Sequence, residues 1–205
     1  VSPDGRLLAA GSRSGVVLVY ELANKSEPLF RINQPDTQVT ELSFSPSGET
    51  LAVGYSSKQV AVIRIADQET DQMLRFDSVP QSLAYSETGD LVVVGTHSGQ
   101  LHFVDLVAGT TQSIDAHQGR INAVDFFPGC RRLVSGGRDK RINLWDVDSR
   151  QRVAVLSGHQ RQIFAIDVSP DGQSLASAGL DGDLRLWRTE THHSAPLAPE
   201  PISPP

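Results

Sequence analysis

The stretch from Gly158 to Trp187, GHQRQIFAIDVSPDGQSLASAGLDGDLRLW, decides how the whole chain is read. Alternating apolar residues (Ile166, Val168) run into Ser169-Pro170-Asp171-Gly172. A second run (Leu175, Ser177) ends at Gly179-Leu180-Asp181-Gly182, and a third (Leu184, Leu186) ends on Trp187. Period-two alternation between Pro, Asp and Gly clusters reads as strands joined by tight turns. Proline pre-sets φ early in the turn, and glycine takes positive φ without a Cβ clash. The stretch therefore holds three strands and two turns.

The same pattern recurs along the chain. The second residue of the first turn falls at Pro3, Pro46, Glu87, Pro128 and Pro170, with spacings of 43, 41, 41 and 42. The second turn has its own marker at Ser14, Ser57, Ser98, Asp139 and Asp181, with the same spacings. Two independent markers holding one period make the fold a repeat of five units. In the fourth unit the first turn reads Phe127-Pro128-Gly129-Cys130, so Cys130 takes the place of the usual turn glycine.

Strands are expected at 6–12, 16–22 and, more weakly, 28–33 in unit one. Unit two has 38–44, 50–56, 59–65 and 72–77. Unit three has 81–86, 90–96, 100–106 and 111–115. Unit four has 120–127, 131–137, 141–147 and 151–156, and unit five has 161–168, 173–179 and 183–189. No stretch of useful length carries the 3.6-residue period, so almost no helix is expected. Unit one lacks its first strand and unit five its fourth. Residues 190–205 carry prolines at 196, 199, 201, 204 and 205, so this tail is expected to be disordered or extended and not to pair in a sheet.

Composition narrows the function classes. A chain of 205 residues with 39% hydrophobic content and a net charge of −6 fits a soluble globular protein. The acidic balance argues against bulk binding to nucleic acid or to an anionic membrane. Arginine outnumbers lysine fifteen to three, which favours fixed, fork-shaped contacts. Cys130 is the one cysteine, which leaves neither an internal disulfide nor a thiolate zinc site. No apolar run approaches the roughly 18–20 residues that span a bilayer. No signal peptide is visible, and the chain opens at Val1 in mid-repeat, so it is expected to be the C-terminal piece of a longer, cytoplasmic protein. There is no Gly-rich phosphate loop and no kinase motif. His97 and His102 have no third ligand in sight, and His192-His193 lies in the tail, so neither metal nor cofactor is expected.

Four-stranded units of this length, with Gly-His near the start and Trp-Asp near the end, resemble the WD40 repeat of β-propellers. The resemblance covers residues 1–189, with repeats at about 1–33, 34–77, 78–116, 117–157 and 158–189. It is fullest in units four and five. Units one to three carry Ser14, Ser57 and Ser98 at the Asp position, and Tyr20, Ile63 and Val104 at the Trp position. The implied fold is all-β: a WD40 β-propeller with five four-stranded blades, the first and last incomplete. Open blade edges invite aggregation, so a ring of seven blades closed by upstream strands is expected.

The resemblance further implies a hydrogen-bonded network of His117, Ser135, Asp139 and Trp145, and a second of His159, Ser177, Asp181 and Trp187. Ser, His and Asp are also the members of an acyl-transfer triad. The sets recur at repeat spacing, each has a Trp to serve, and no Gly-x-Ser-x-Gly elbow accompanies them, which favours a structural role. In the family, partners contact the loops before each first strand and after each second strand. By position this points to Arg13, His97, Arg120, Asn122, Arg138, Gln162, Phe164 and Leu180. Of these, Arg120, Arg138 and Phe164 are the residue types enriched as interface anchors.

The expected function is a non-catalytic scaffold that takes proteins or peptides on this loop face, and neither nucleic acid nor membrane. The alternative is the C-terminal regulatory or targeting propeller of a larger enzyme, such as a bacterial-type Ser/Thr kinase or an NTPase. A hydrolase working in the channel would need convergent acidic or His residues at the strand-one starts. Those positions hold Gln, Thr, Val, Arg, Asn and Phe.

Overall fold

The computed structural model describes residues 1–23 and 27–188, and the backbone of 199–200. Every described element is a strand. The first sheet holds β1 (Leu7–Gly11), β2 (Val16–Glu21) and β3 (Phe30–Asn33). The second holds β4 (Val39–Phe44), β5 (Thr50–Tyr55), β6 (Gln59–Arg64) and β7 (Thr70–Arg75). The third holds β8 (Pro80–Tyr85), β9 (Leu91–Thr96), β10 (Gln100–Asp105) and β11 (Thr110–Asp115). The fourth holds β12 (Ile121–Phe126), β13 (Arg132–Gly137), β14 (Arg141–Asp146) and β15 (Arg152–Ser157). The fifth holds β16 (Ile163–Val168), β17 (Ser174–Gly179), β18 (Leu184–Arg188) and β19 (Pro199–Glu200). In each sheet hydrogen-bonded neighbours are consecutive in the chain, so each is a simple meander.

The turn between the first two strands of a unit is latched by its serine. Ser45 Oγ accepts the Thr50 N–H at 3.1 Å, and Ser169 Oγ accepts the Ser174 N–H at 2.9 Å. Ser2 and Ser86 do the same for Leu7 and Leu91. In unit four Phe127 has no hydroxyl to offer. The loop length is kept there by the Phe127 N–H bonding to Arg132 O, but the left-handed residue is Gly129 at φ 66°. Cys130 thus stands in the glycine's sequence position without its conformation, because the neighbouring glycine absorbs the positive φ.

The expectation for the tail is corrected in part. β19 pairs antiparallel with β18, with Leu186 opposite Glu200 and Trp187 opposite Pro199, and so gives the fifth sheet a fourth strand. Proline is tolerated on an edge strand, where its missing N–H can face away from the ladder. The remaining expectations for the tail, including the Pro-x-x-Pro spacings and His192-His193, lie outside the described residues.

A break in pairing recurs on the first strands. Register shifts fall between Val39 and Glu41 in β4, Ile121 and Ala123 in β12, and Ile163 and Ala165 in β16. Each is a β-bulge that leaves one residue (Thr40, Asn122 or Phe164) out of the pairing and re-aims its side chain.

Internal packing divides the chain into two units. The first comprises Val1–Val94 with Phe103–Thr111. Its first two sheets close on a core of Val17, Val19, Phe30, Leu51, Tyr55 and Ile63. A second core joins Ala52 and Val60 to Leu83, Val92, Val94 and Val104. The second unit comprises Gly95–His102 and the chain from Gln112 onward. There the fourth and fifth sheets pack Val134, Ile142 and Leu144 against Ile163, Leu175 and Trp187.

Candidate functional site

In the fourth sheet, pairing places Leu133 opposite Trp145 and Ser135 opposite Asn143, so Ser135 and Trp145 share one face. Trp145 Nε1 donates to Ser135 Oγ at 2.8 Å, and Ser135 Oγ lies 2.8 Å from His117 Nε2. His117 Nδ1 lies 2.8 Å from Asp139 Oδ1. The fifth sheet repeats the arrangement. Trp187 Nε1 donates to Ser177 Oγ at 2.9 Å, Ser177 Oγ meets His159 Nε2 at 2.8 Å, and His159 Nδ1 lies 3.0 Å from both oxygens of Asp181. Indole nitrogen only donates. It occupies an acceptor site of the serine, leaves the hydroxyl proton for His Nε2, and so directs the Nδ1–H toward the carboxylate. Each relay ties the third strand, second strand, second turn and preceding loop of a unit together.

Backbone completes each relay. Asp181 Oδ2 accepts the Gln160 N–H at 2.7 Å, and Asp139 Oδ2 accepts the Gln118 N–H at 3.3 Å. Burial opposes the charge on Asp181, but the Gln160 N–H, the His159 imidazole and the Asp183 N–H outweigh it and hold its pKa down to about 2. Asp139 is lowered too: burial opposes its charge, and His117 with the backbone donors overcomes that. The unfolded carboxyl has an ordinary value of about 3.9 and takes up protons before the folded one does. The contribution to stability is therefore fully present above about pH 5 and is lost as pH falls toward 2. Asp181→Asn should flatten this acid limb, measured as the denaturant midpoint at pH 7, 4 and 3. An unchanged limb would remove Asp181 from the relay.

As chemistry, the two Ser-His-Asp sets are closed. Ser135 is 0% and Ser177 1% exposed, and each already receives an indole N–H. Units one to three tie the same turn with short hydroxyl contacts. Ser12 Oγ lies 2.9 Å from Ser14 Oγ, Thr37 Oγ1 accepts the Ser57 N–H at 3.0 Å, and Thr96 Oγ1 lies 3.1 Å from Ser98 Oγ. No three His, Cys, Asp or Glu side chains among the described residues are grouped to hold a metal ion.

Comparison with known proteins agrees with this geometry. Residues 109–146 and 150–188 match the family described as WD domain, G-beta repeat. Residues 1–83 match the anaphase-promoting complex subunit 4 WD40 domain. The chain belongs to the WD40-repeat family. It is similar to WD repeat-containing protein SL1-17 of Schistosoma mansoni, 27% identical over 72% of this chain and 49% of that protein. WD repeat-containing protein 3 of Homo sapiens is 30% identical over 72% of this chain and 16% of its own length. Antiviral protein SKI8 of Saccharomyces cerevisiae is 25% identical over 74% and 33%. The chain thus spans about half the length, or less, of these relatives.

The WD40 sheets are the blades of a propeller, and the loop residues singled out above occupy equivalent places on them. Arg13, His97, Arg138 and Leu180 stand exposed in the turn between second and third strands. Arg120 and Gln162 are half-buried before the first strand, and their carbonyls accept the N–H groups of Arg138 and Leu180, each at 2.8 Å. Strand-one start and following turn are thereby one surface in blades four and five. The bulge turns Phe164 outward, 49% exposed. Asn122 occupies the equivalent bulge in blade four but is half-buried, and its Nδ2 donates to Ile163 O at 2.6 Å.

Asp125 was not legible as part of this architecture. Its Oδ2 accepts the Val168 N–H at 2.8 Å, so β12 is stitched to β16 by two side chains, Asn122 and Asp125. Burial raises the pKa of Asp125 in spite of its hydrogen bonds from Val168 and Phe126. The one signal was a carboxylate inside the apolar run Ala123-Val124-Asp125-Phe126, a placement that burial tolerates only with donors nearby.

Proposed function

We propose that this chain is a non-catalytic WD40 interaction scaffold that recognises proteins or peptides through the loop ends of its blades. The observation that carries it is the closure of both Ser-His-Asp sets: each serine is buried and bonded to an indole, so the residues that resemble a triad serve as internal fasteners. The exposed loop positions Arg13, His97, Arg138, Phe164 and Leu180, with the half-buried Arg120 and Gln162, remain to face a partner. Exposed aromatic side chains beside arginine are the composition of interface anchors. The reading as a regulatory module of a larger enzyme gains no support from the matched families, both of which are WD40 domains.

Two measurements test it. A fluorophosphonate probe should leave Ser135 and Ser177 unlabelled in the folded chain, and stoichiometric labelling would refute the non-catalytic assignment. Peptides selected from a random displayed library should lose about tenfold or more in affinity on Phe164→Ala with Leu180→Ala, a loss of about 1.4 kcal/mol or more. Selected peptides that keep their affinity in that variant would move the site away from the loop ends of blades four and five.

A further inference from the structure

We infer that the loop end of blades four and five selects acidic partner segments, docking their carboxylates on Arg138, Lys140 and Arg161 and an apolar side chain against Phe164 and Leu180. The inference rests on the loop-end assignment and adds the chemistry of the partner. In a chain with 24 carboxylates against 18 lysines and arginines, cations are expected to find acidic neighbours. Three of them do: Arg64 lies 3.1 Å from Asp67, Arg131 pairs with Asp148, and Arg185 Nη2 donates to Asp183 at 2.7 Å. None of the ion pairs among the described residues involves Arg138, Lys140 or Arg161, and all three are exposed.

The carboxylates of this end are already engaged. Asp139 and Asp181 turn inward onto His117 and His159, and Asp183 is held by Arg185. Around these three carboxylates stand Arg120, Arg138, Lys140, Arg161 and Arg185, so cations outnumber carboxylates and this end keeps a net positive charge. Their placement is set by backbone. Lys140 follows Asp139 with φ 69°, its N–H bonded to Gly137 O, and the Arg138 N–H is bonded to Arg120 O. The Asn122 amide on Ile163 O brings the starts of β12 and β16 together, which sets the Arg138 turn beside the Phe164 strand. Leu180, 44% exposed, is tied to the same place by its N–H on Gln162 O. The surface thus sets exposed cations beside exposed apolar side chains. That combination suits a peptide alternating acidic and hydrophobic residues. A nucleic-acid strand would instead call for a continuous basic track, and the net charge of −6 would oppose it.

The test measures fluorescence anisotropy of a fluorescein-labelled peptide, EDLFEDLE, against the full chain. The controls are the neutral peptide QSLFQSLQ and a twelve-nucleotide oligouridylate. EDLFEDLE should bind, should weaken about tenfold or more on Arg138→Glu with Arg161→Glu, and should weaken again between about 50 and 300 mM salt as screening shortens. The variant's melting curve should match the unmodified chain, since neither residue takes part in an ion pair described above. Equal affinity for QSLFQSLQ, no binding of EDLFEDLE, unchanged affinity in the variant, or displacement by oligouridylate at lower concentration would each overturn the inference. Library peptides that depend on Phe164 and Leu180 yet carry no excess of Asp or Glu would leave the loop-end site standing and sink the acidic preference alone.

Discussion

Trp187→Ala should destabilise the chain by about 3–5 kcal/mol, and Trp187→Phe by about 1–2 kcal/mol. Trp187 is 1% exposed and packs in the core shared by blades four and five with Val134, Leu144 and Leu175. Alanine leaves a cavity there, and also takes the indole donor from Ser177 Oγ. Phenylalanine keeps most of the volume and removes the donor. The difference between the two variants therefore separates packing from the relay. Denaturant unfolding at pH 7 measures both. Equal losses would assign the whole effect to the hydrogen bond, and a loss under about 1 kcal/mol for Trp187→Ala would mean that the core does not close as described.

Gly99→Ala should cost about 2–5 kcal/mol, from the left-handed backbone and from overpacking together. Gly99 has φ 94°, and a Cβ there would lie 2.2 Å from His117 O and 2.7 Å from Gly119 O. Those neighbours are backbone and cannot swing aside. They are also where the chain enters blade four, because Gly99 O accepts the N–H groups of both Ala116 and His117. The substitution should thus displace His117 from Ser135 and Asp139 as well as lower stability. Gly109→Ala is the control: its φ is 65° but nothing lies within 4 Å of the added carbon. It should cost about 1–2 kcal/mol from backbone strain alone. If the two variants lose the same amount, the close approach at Gly99 is not what the position requires.

Much of the fold is written in local chemistry. The Ser-Pro-Asp-Gly turn at 169–172 works through proline's fixed φ, glycine's positive φ and a serine oxygen that reaches five residues on. Each of these acts within a few residues, so the turn can be read without knowing what packs on it. Even where Phe127 and Cys130 break the pattern, Gly129 takes over the left-handed residue one step earlier. The relay residues were legible for a different reason. The resemblance to the WD40 repeat implies the set, two full copies stand at repeat spacing, and a buried carboxylate is tolerated when a donor such as histidine meets it.

Other features depend on a neighbour that the local sequence does not name. The bulges that free Thr40, Asn122 and Phe164 shift the phase of the alternation, as where Thr40 and Glu41 both separate Val39 from Leu42, but the sequence does not say where each freed side chain goes. At equivalent bulges Phe164 is exposed while Asn122 reaches across to Ile163, because β16 lies against β12. Asp125 sits inside an apolar run, and only the Val168 N–H of the next blade explains how its charge is accommodated. Pro199–Glu200 has the composition of a tail and pairs with β18 only because that edge is open to receive it.

The sequence by itself determined the period and the strand order within each sheet, since both rest on short-range turn geometry and on pairing between chain neighbours, while the members of the two relays followed from the resemblance to the WD40 repeat. Tertiary structure alone decided which bulged residue is left to solvent and which carboxylate is buried against the next blade. Those depend on the partner that each side chain finds across a blade interface some forty residues away, where the cost of burying a polar group is met or left unmet.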